Sequence, residues 1–138
     1  GSATNLNEGK RQVMDVKVLV VDDTEHVRNM LVDMLELDGF NVVGKAASGT
    51  EAIDLAERSE PDVVIMDYKM PGMDGLAAAK TIKQRRPQQR IIIYTAYLDP
   101  MLESEAKEAG IAMTIGKVEG LNQLERHITE LCRDLPTT

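Results

Sequence analysis

Five short apolar runs punctuate the chain, and each is followed by a segment whose apolar residues recur at helical spacing. Val16-Lys17-Val18-Leu19-Val20-Val21 is rich in β-branched side chains and stops at Asp22-Asp23, which predicts a first strand. Val27, Met30, Leu31, Met34 and Leu35 then mark one apolar stripe of a helix turned toward the core. Thr24 is the expected N-cap of that helix and Gly39 its expected C′ residue. Phe40–Ala46 predicts a second strand, and Ser48 caps a helix running to about Arg58. After Pro61, the run Val63–Met66 predicts a third strand, ended by Asp67. Met70-Pro71-Gly72-Met73-Asp74-Gly75 has turn chemistry, and Leu76, Ala79 and Ile82 begin a helix that ends before Pro87. Arg90–Tyr94 predicts the fourth strand, stopped by Thr95-Ala96, with a helix near Pro100–Ala109 closed by Gly110. Ile111–Ile115 is the fifth strand, stopped by Gly116-Lys117, and Leu121, Leu124, Ile128, Leu131 and Leu135 form the stripe of a last helix. Apolar runs without alternation belong to strands covered on both faces. The pattern therefore predicts an α/β fold, a doubly wound five-stranded parallel sheet with five helices.

Composition narrows the function. The chain has 138 residues, 16 Lys+Arg against 23 Asp+Glu, and a net charge of −7, which argues against nucleic-acid binding by this domain as a whole. Its apolar runs, such as Val18–Val21 and Ile91–Tyr94, are far shorter than the roughly 20 residues that cross a bilayer, so no membrane association is expected. One cysteine, Cys132, excludes an internal disulfide and fits a reducing, cytoplasmic setting. Gly1-Ser2-Ala3 resembles the remnant of a cleaved tag, and residues 1–14 read as a flexible lead-in. Residues 15–135 form the expected domain and 136–138 a tail, which leaves open a small whole protein or one domain of a longer one.

The residues that stop the strands carry the chemistry. Asp22 and Asp23 follow the first strand, Asp67 the third, Thr95 the fourth and Lys117 the fifth. In a parallel sheet all of them lie on the carboxyl-terminal edge, where open α/β sheets bind ligands. Carboxylates so close raise one another's pKa, and a hard divalent cation with oxygen ligands relieves the repulsion. Mg²⁺ is favoured because it uses few carboxylates, keeps waters and pairs with phosphate. Lys117 offers a compact positive charge and Thr95 a hydroxyl, both suited to phosphoryl oxygens. Together they make a site for phosphoryl transfer to Asp67.

The set Val20-Val21-Asp22-Asp23, then Val64-Ile65-Met66-Asp67-Tyr68-Lys69-Met70-Pro71-Gly72-Met73-Asp74-Gly75, then Thr95-Ala96, then Lys117 resembles the receiver domain of two-component response regulators. The resemblance covers essentially all of residues 16–135 and implies a flavodoxin-like sheet of order 2-1-3-4-5. It implies Asp67 as phosphoacceptor, Asp23 as direct metal ligand, Asp22 as a ligand acting through water, and the Lys69 main-chain carbonyl as a further metal contact. Thr95 and Lys117 would grip the phosphoryl group. The donor would be a sensor histidine kinase or a histidine phosphotransfer protein. Phosphorylation would then change the surface of the fourth helix, fifth strand and fifth helix, with a homodimer as one outcome. An absent output domain could bind DNA.

Two positions depart from the family pattern. Val118 follows Lys117 where proline is usual, so a trans bond is expected there. Thr114 stands where an aromatic switch residue is usual, and Tyr97 is the nearest aromatic to take over. Tyr97 and Lys69 are expected to flank the phosphoryl group and limit hydrolytic water.

Other residues have plainer readings. His26 and His127 are expected as exposed helix residues, Cys132 as packing, and Met30 and Met34 as core. Arg85-Arg86 would favour the dipole of its helix, and Glu103, Glu105, Lys107 and Glu108 form a solvated face. Three rival functions fit the residues less well. An aspartyl phosphohydrolase would want a second acid two positions beyond its nucleophile, and from Asp22 that position is Thr24. A flavin or nucleotide module would want an amide-rich first loop, and here two carboxylates open it. A purely structural interaction domain is hard to reconcile with the complete acid, threonine and lysine set.

Overall fold

A computed structural model describes residues 16–133. The elements alternate: β1 (Lys17–Val21), α1 (Glu25–Leu37), β2 (Asn41–Ala46), α2 (Gly49–Ser59), β3 (Val63–Met66), α3 (Gly75–Arg85), β4 (Arg90–Thr95), α4 (Pro100–Glu108), β5 (Met113–Gly116) and α5 (Leu121–Leu131). The five strands form one parallel sheet in the order β2-β1-β3-β4-β5. The expected order and the expected alternation are both met. The lead-in before residue 16, the tail and Leu135 of the last stripe lie outside the described residues.

The strands are apolar throughout because each side of the sheet has its own core. Leu19, Val21, Val64, Met66, Ile91 and Ile93 point to one face and meet α2, α3 and α4. Val18, Val20, Val63, Ile65, Ile92 and Tyr94 point to the other and meet α1 and α5. Successive side chains on a strand alternate faces, so both sets had to be apolar.

Several local expectations are corrected. The second and fifth strands begin later than the apolar runs suggest. Gly39 and Gly110 take positive φ, as expected of residues that close helices, at 97° and 82°. The next residue in each case then donates its N–H back into the helix, Phe40 to Leu35 O at 3.0 Å and Ile111 to Ala106 O at 3.0 Å. Both bonds are the long closure of a Schellman motif, so Phe40 and Ile111 are buried helix caps and not strand residues.

Thr24 occupies the N-cap position of α1, but its side chain makes no capping bond. Its own N–H instead donates to Asp22 Oδ1 at 2.9 Å. Ser48 caps α2 as expected, accepting from the Glu51 N–H at 3.2 Å. Met30 and Met34 are not core: they are 59% and 39% exposed, and only Leu31 and Leu35 of that stripe are buried. His26 is exposed, whereas His127 is half-buried, with an Nδ1 that has no hydrogen-bond partner. On the same helix, burial and a hydrogen bond to the Asp38 carboxyl push Glu125 up to about 7. Cys132 packs in the core below α5.

Candidate functional site

Sheet register builds the site. Val21 pairs with Met66 across β1 and β3, so the residues that follow them, Asp22 and Asp67, emerge side by side. Both amides are tied down, Asp22 N–H to Ala46 O at 3.1 Å and Asp67 N–H to Val21 O at 2.9 Å. The chain runs from β1 outward to β2 on one side, then crosses back past β1 to β3 on the other. The acids therefore sit at the point where strand order reverses, the place this topology leaves open for a ligand. Thr95 pairs with Gly116 across β4 and β5, which puts Lys117 just beyond the same edge.

Asp22, Asp23 and Asp67 each offer a carboxylate oxygen, and these oxygens all lie within 4.8 Å of one another. Asp22 and Asp67 are buried, while Asp23 is half-buried. The Lys117 ammonium donates to Asp22 Oδ2 at 2.9 Å and stands 3.7 Å from Asp67 Oδ1. Asp67 Oδ1 also accepts the Tyr68 N–H at 2.9 Å. Arg28 donates from Nη1 to the Asp22 carbonyl at 2.8 Å, tying α1 to the same loop.

The electrostatics follow from this crowding. Burial, above all, pushes the Asp67 carboxyl up to about 6, and the Asp22 and Asp23 charges add to it. Lys117 and the Tyr68 N–H pull the other way without cancelling the rise. For Lys117, burial alone would favour the neutral amine. The Asp22 hydrogen bond and the Asp67 and Asp22 charges outweigh it and raise its pKa, so it is fully protonated at neutral pH. One ammonium thus faces three carboxylates, and the site carries a net negative charge that a cation would relieve. An all-oxygen donor set of this size fits a hard divalent ion such as Mg²⁺ and offers nothing to a thiophilic one.

Further groups flank the acids and Lys117. Thr95 is fully buried, and its hydroxyl oxygen accepts the Tyr97 N–H at 2.9 Å, leaving the hydroxyl proton to donate. The Lys69 ammonium lies over the Tyr97 ring, 5.3 Å from its centroid. Among the described residues every peptide bond is trans, including that between Lys117 and Val118, and Val118 is 96% exposed. Thr114 is half-buried at the edge of a groove of about 290 Å³ between α4 and β5. A larger cavity of about 440 Å³ lies at the opposite edge of the sheet. Its lining guanidinium groups are held by the protein's own acceptors, Arg85 by Glu57, Arg86 by Gln89 and Arg90 by the Leu131 carbonyl, and it has no part in this site.

Sequence reasoning missed three contributors. Tyr94 carries its ring to within 5.8 Å of the Lys117 ammonium. Its position next to Thr95 was visible, but its direction depends on strand phase. Arg28 was hidden because it reaches a backbone atom. Gly75, one of six turn residues, donates its N–H to Tyr68 O at 2.7 Å and presses its Cα against the Asp67 carbonyl.

Comparison with known proteins agrees with this geometry. Residues 18–129 match the family described as the response regulator receiver domain. The chain is 35% identical over 117 residues to the response regulator GacA of Pseudomonas aeruginosa, covering 84% of this chain and 55% of GacA. It is 40% identical over 94 residues to the chemotaxis protein CheY of Bacillus subtilis, covering 68% and 78% respectively. Among solved structures it is similar to the CheX-CheY-BeF3-Mg complex of Borrelia burgdorferi, with TM-score 0.79 and 26% identity over 85% of this chain and 89% of that one. The chain spans about half the length of curated relatives such as GacA.

Proposed function

The chain belongs to the response regulator receiver domain family, and on that premise we propose that it is a phosphorylation-controlled switch in a two-component phosphorelay, with Asp67 as the phosphoacceptor. The observation that carries the reading is a buried Asp67 held beside Lys117, with the Asp22 and Asp23 carboxylates within ion-binding reach. Family membership displaces the phosphohydrolase and flavin-module alternatives.

Asp22, Asp23 and Asp67, with the Lys69 main-chain carbonyl, would hold Mg²⁺. When bound, the ion would neutralise the carboxylates and draw electron density from phosphoryl oxygens. The rest is the work of the chain's own residues. A carboxylate oxygen of Asp67 forms a bond to phosphorus as the bond from phosphorus to the donor's imidazole nitrogen breaks. The electron pair leaves with that nitrogen, which takes up a proton. Lys117 meets the phosphoryl charge with its ammonium, and Thr95 donates its hydroxyl proton to a phosphoryl oxygen. The donor is a sensor histidine kinase or a histidine phosphotransfer protein. The chain catalyses only its own phosphorylation and dephosphorylation. We place this activity in the cytoplasm and assign it to residues 15–135. The output is a changed surface over α4, β5 and α5, able to drive homodimerisation, and no helix among the described residues is long and apolar enough to cross a membrane.

Incubation with acetyl phosphate and Mg²⁺, followed by intact-mass and peptide spectrometry, tests the assignment. One phosphoryl group is expected on Asp67 of the wild type and none on Asp67→Asn. Modification of a different side chain, or none in a folded sample, overturns it. Size-exclusion chromatography of the same samples checks for dimerisation.

The pairing of Lys69 with Tyr97 leads to a second expectation. Their contact would form a screen at the mouth of the site, with Tyr97 itself 58% exposed. Tyr97→Ala and Lys69→Asn should each shorten the phosphoryl lifetime, by about three- to tenfold, because water gains a clearer approach. A time course of label loss in wild type and both variants decides this; equal half-lives would remove the screen from the account.

A further inference from the structure

We propose that Tyr94 is the positioning residue for Lys117, its ring holding the ammonium over the reactive rim. The inference rests on the phosphoacceptor reading above and adds to it a residue that no motif marks. Lys117 Nζ lies 5.8 Å from the centroid of the Tyr94 ring, within the range where a cation is attracted to an aromatic face.

What surrounds Lys117 explains why such a hold is needed. Its side chain is 26% exposed and opens a short 3-10 turn, Lys117–Glu119, set between Gly116 and Gly120. The outer residues of that turn, Val118 and Glu119, are exposed, Val118 to 96%. The ammonium bonds Asp22, a carboxylate that the proposed ion would engage. If Asp22 and also Asp67, which lies 3.7 Å from the ammonium, engaged a cation, the acid contacts that hold Lys117 would weaken. Tyr94 offers a seat that does not depend on the acids.

That seat is rigid. Tyr94 lies on β4, flanked by β3 and β5, and pairs directly with Ile115. It is 8% exposed and packed in the core that α1 and α5 cover. Thr95, the next residue, points to the opposite face of the strand. Two adjacent positions of one strand therefore serve the same phosphoryl group, Thr95 directly and Tyr94 through Lys117.

Tyr94→Leu and Tyr94→Phe separate the ring from the hydroxyl. With acetyl phosphate as donor, Tyr94→Leu should label Asp67 about five- to tenfold more slowly, while Tyr94→Phe retains most of the wild-type rate. The second readout is independent of activity. The ε-methylene protons of Lys117 should be shifted upfield by the ring in wild type and Tyr94→Phe, and should return to ordinary positions in Tyr94→Leu. Wild-type labelling by Tyr94→Leu, equal loss in both variants, or an unshifted Lys117 in the wild type would each overturn the role of Tyr94. The last outcome stands even if Tyr94→Leu does not fold. Failure of the wild type to label at Asp67 would instead overturn the phosphoacceptor reading itself.

Discussion

Gly75→Ala is expected to cost about 2–4 kcal/mol of stability and to lower Tm by roughly 10 °C, although it adds a single methyl group. Gly75 opens α3, directly after the N-cap Asp74, whose side chain accepts the Ala77 N–H at 2.8 Å. Its backbone lies so close to the Asp67 carbonyl that a Cβ would overlap that oxygen and crowd the Met66 side chain. Neither neighbour can move cheaply. Met66 is fully buried, and the Asp67 backbone is pinned by its bond to Val21. Relief would have to come from lifting the start of α3 or tilting the Asp67 peptide, and the second would drag the carboxylate away from Lys117. Labelling by acetyl phosphate should therefore fall together with stability. Gly72→Ala is the control from the same turn. Its φ of 77° is unfavourable for alanine, but nothing lies within 4 Å of the added Cβ. It should cost only about 1–2 kcal/mol, from backbone strain alone. Thermal melts of the two variants beside wild type provide the check, and equal losses would show that close approach to Asp67 is not what Gly75 provides.

The fold was legible because burial on both faces leaves a strand almost no place for a polar residue except its ends. That is why Asp22, Asp67 and Lys117 stood out at the ends of Val18–Val21, Val63–Met66 and Ile111–Ile115. Strand order was a different matter. Alternation implies a parallel sheet, but 2-1-3-4-5 came from the family resemblance and not from the hydrophobic pattern. The strand starts were misplaced for one repeated reason. A hydrophobic residue after a helix-ending glycine closes the helix, and in sequence it looks the same as the first residue of a strand, as with Phe40 and Ile111.

Helical periodicity identified the face of α1 but not how much of it is covered. Leu31 and Leu35 are buried in the core shared with Leu124 and Ile128 of α5, whereas Met30 and Met34 are exposed and, with Leu31, Tyr94 and Leu121, line a groove of about 260 Å³. The site shows the same division. Which residues converge was readable, since each ends a strand. How they are held was not, because the supports are backbone amides, the Arg28 contact with a carbonyl, and the Tyr94 ring. Those depend on register and strand phase, which a linear pattern does not carry.

In a chelator, Asp67→Asn should make the protein more stable at pH 8 even as it removes the phosphoacceptor. The Asp67 carboxyl titrates near 6 in the folded protein against an ordinary value of 3.8, chiefly because it is buried. Below about pH 4 it is protonated both folded and unfolded, so it makes no difference to the equilibrium. Between the two values the folded state holds a proton that the unfolded state has released, and stability falls as pH rises. Above about pH 7 the full penalty is present, on the order of 1–3 kcal/mol after allowing for solvent near the rim. The neutral amide of Asp67→Asn is spared it. The stability gap between variant and wild type should therefore be widest at pH 8 and close as pH falls toward 4.5, as read from urea melts at both pH values. A gap that is absent, or that widens in acid, would mean that the site is not frustrated by its own charge. Added Mg²⁺ should narrow the gap at pH 8 by stabilising the wild type in preference. Burial, with a smaller contribution from the Asp22 and Asp23 charges, would set the cost of ionising Asp67, and a cation held by the three acids would offset that cost.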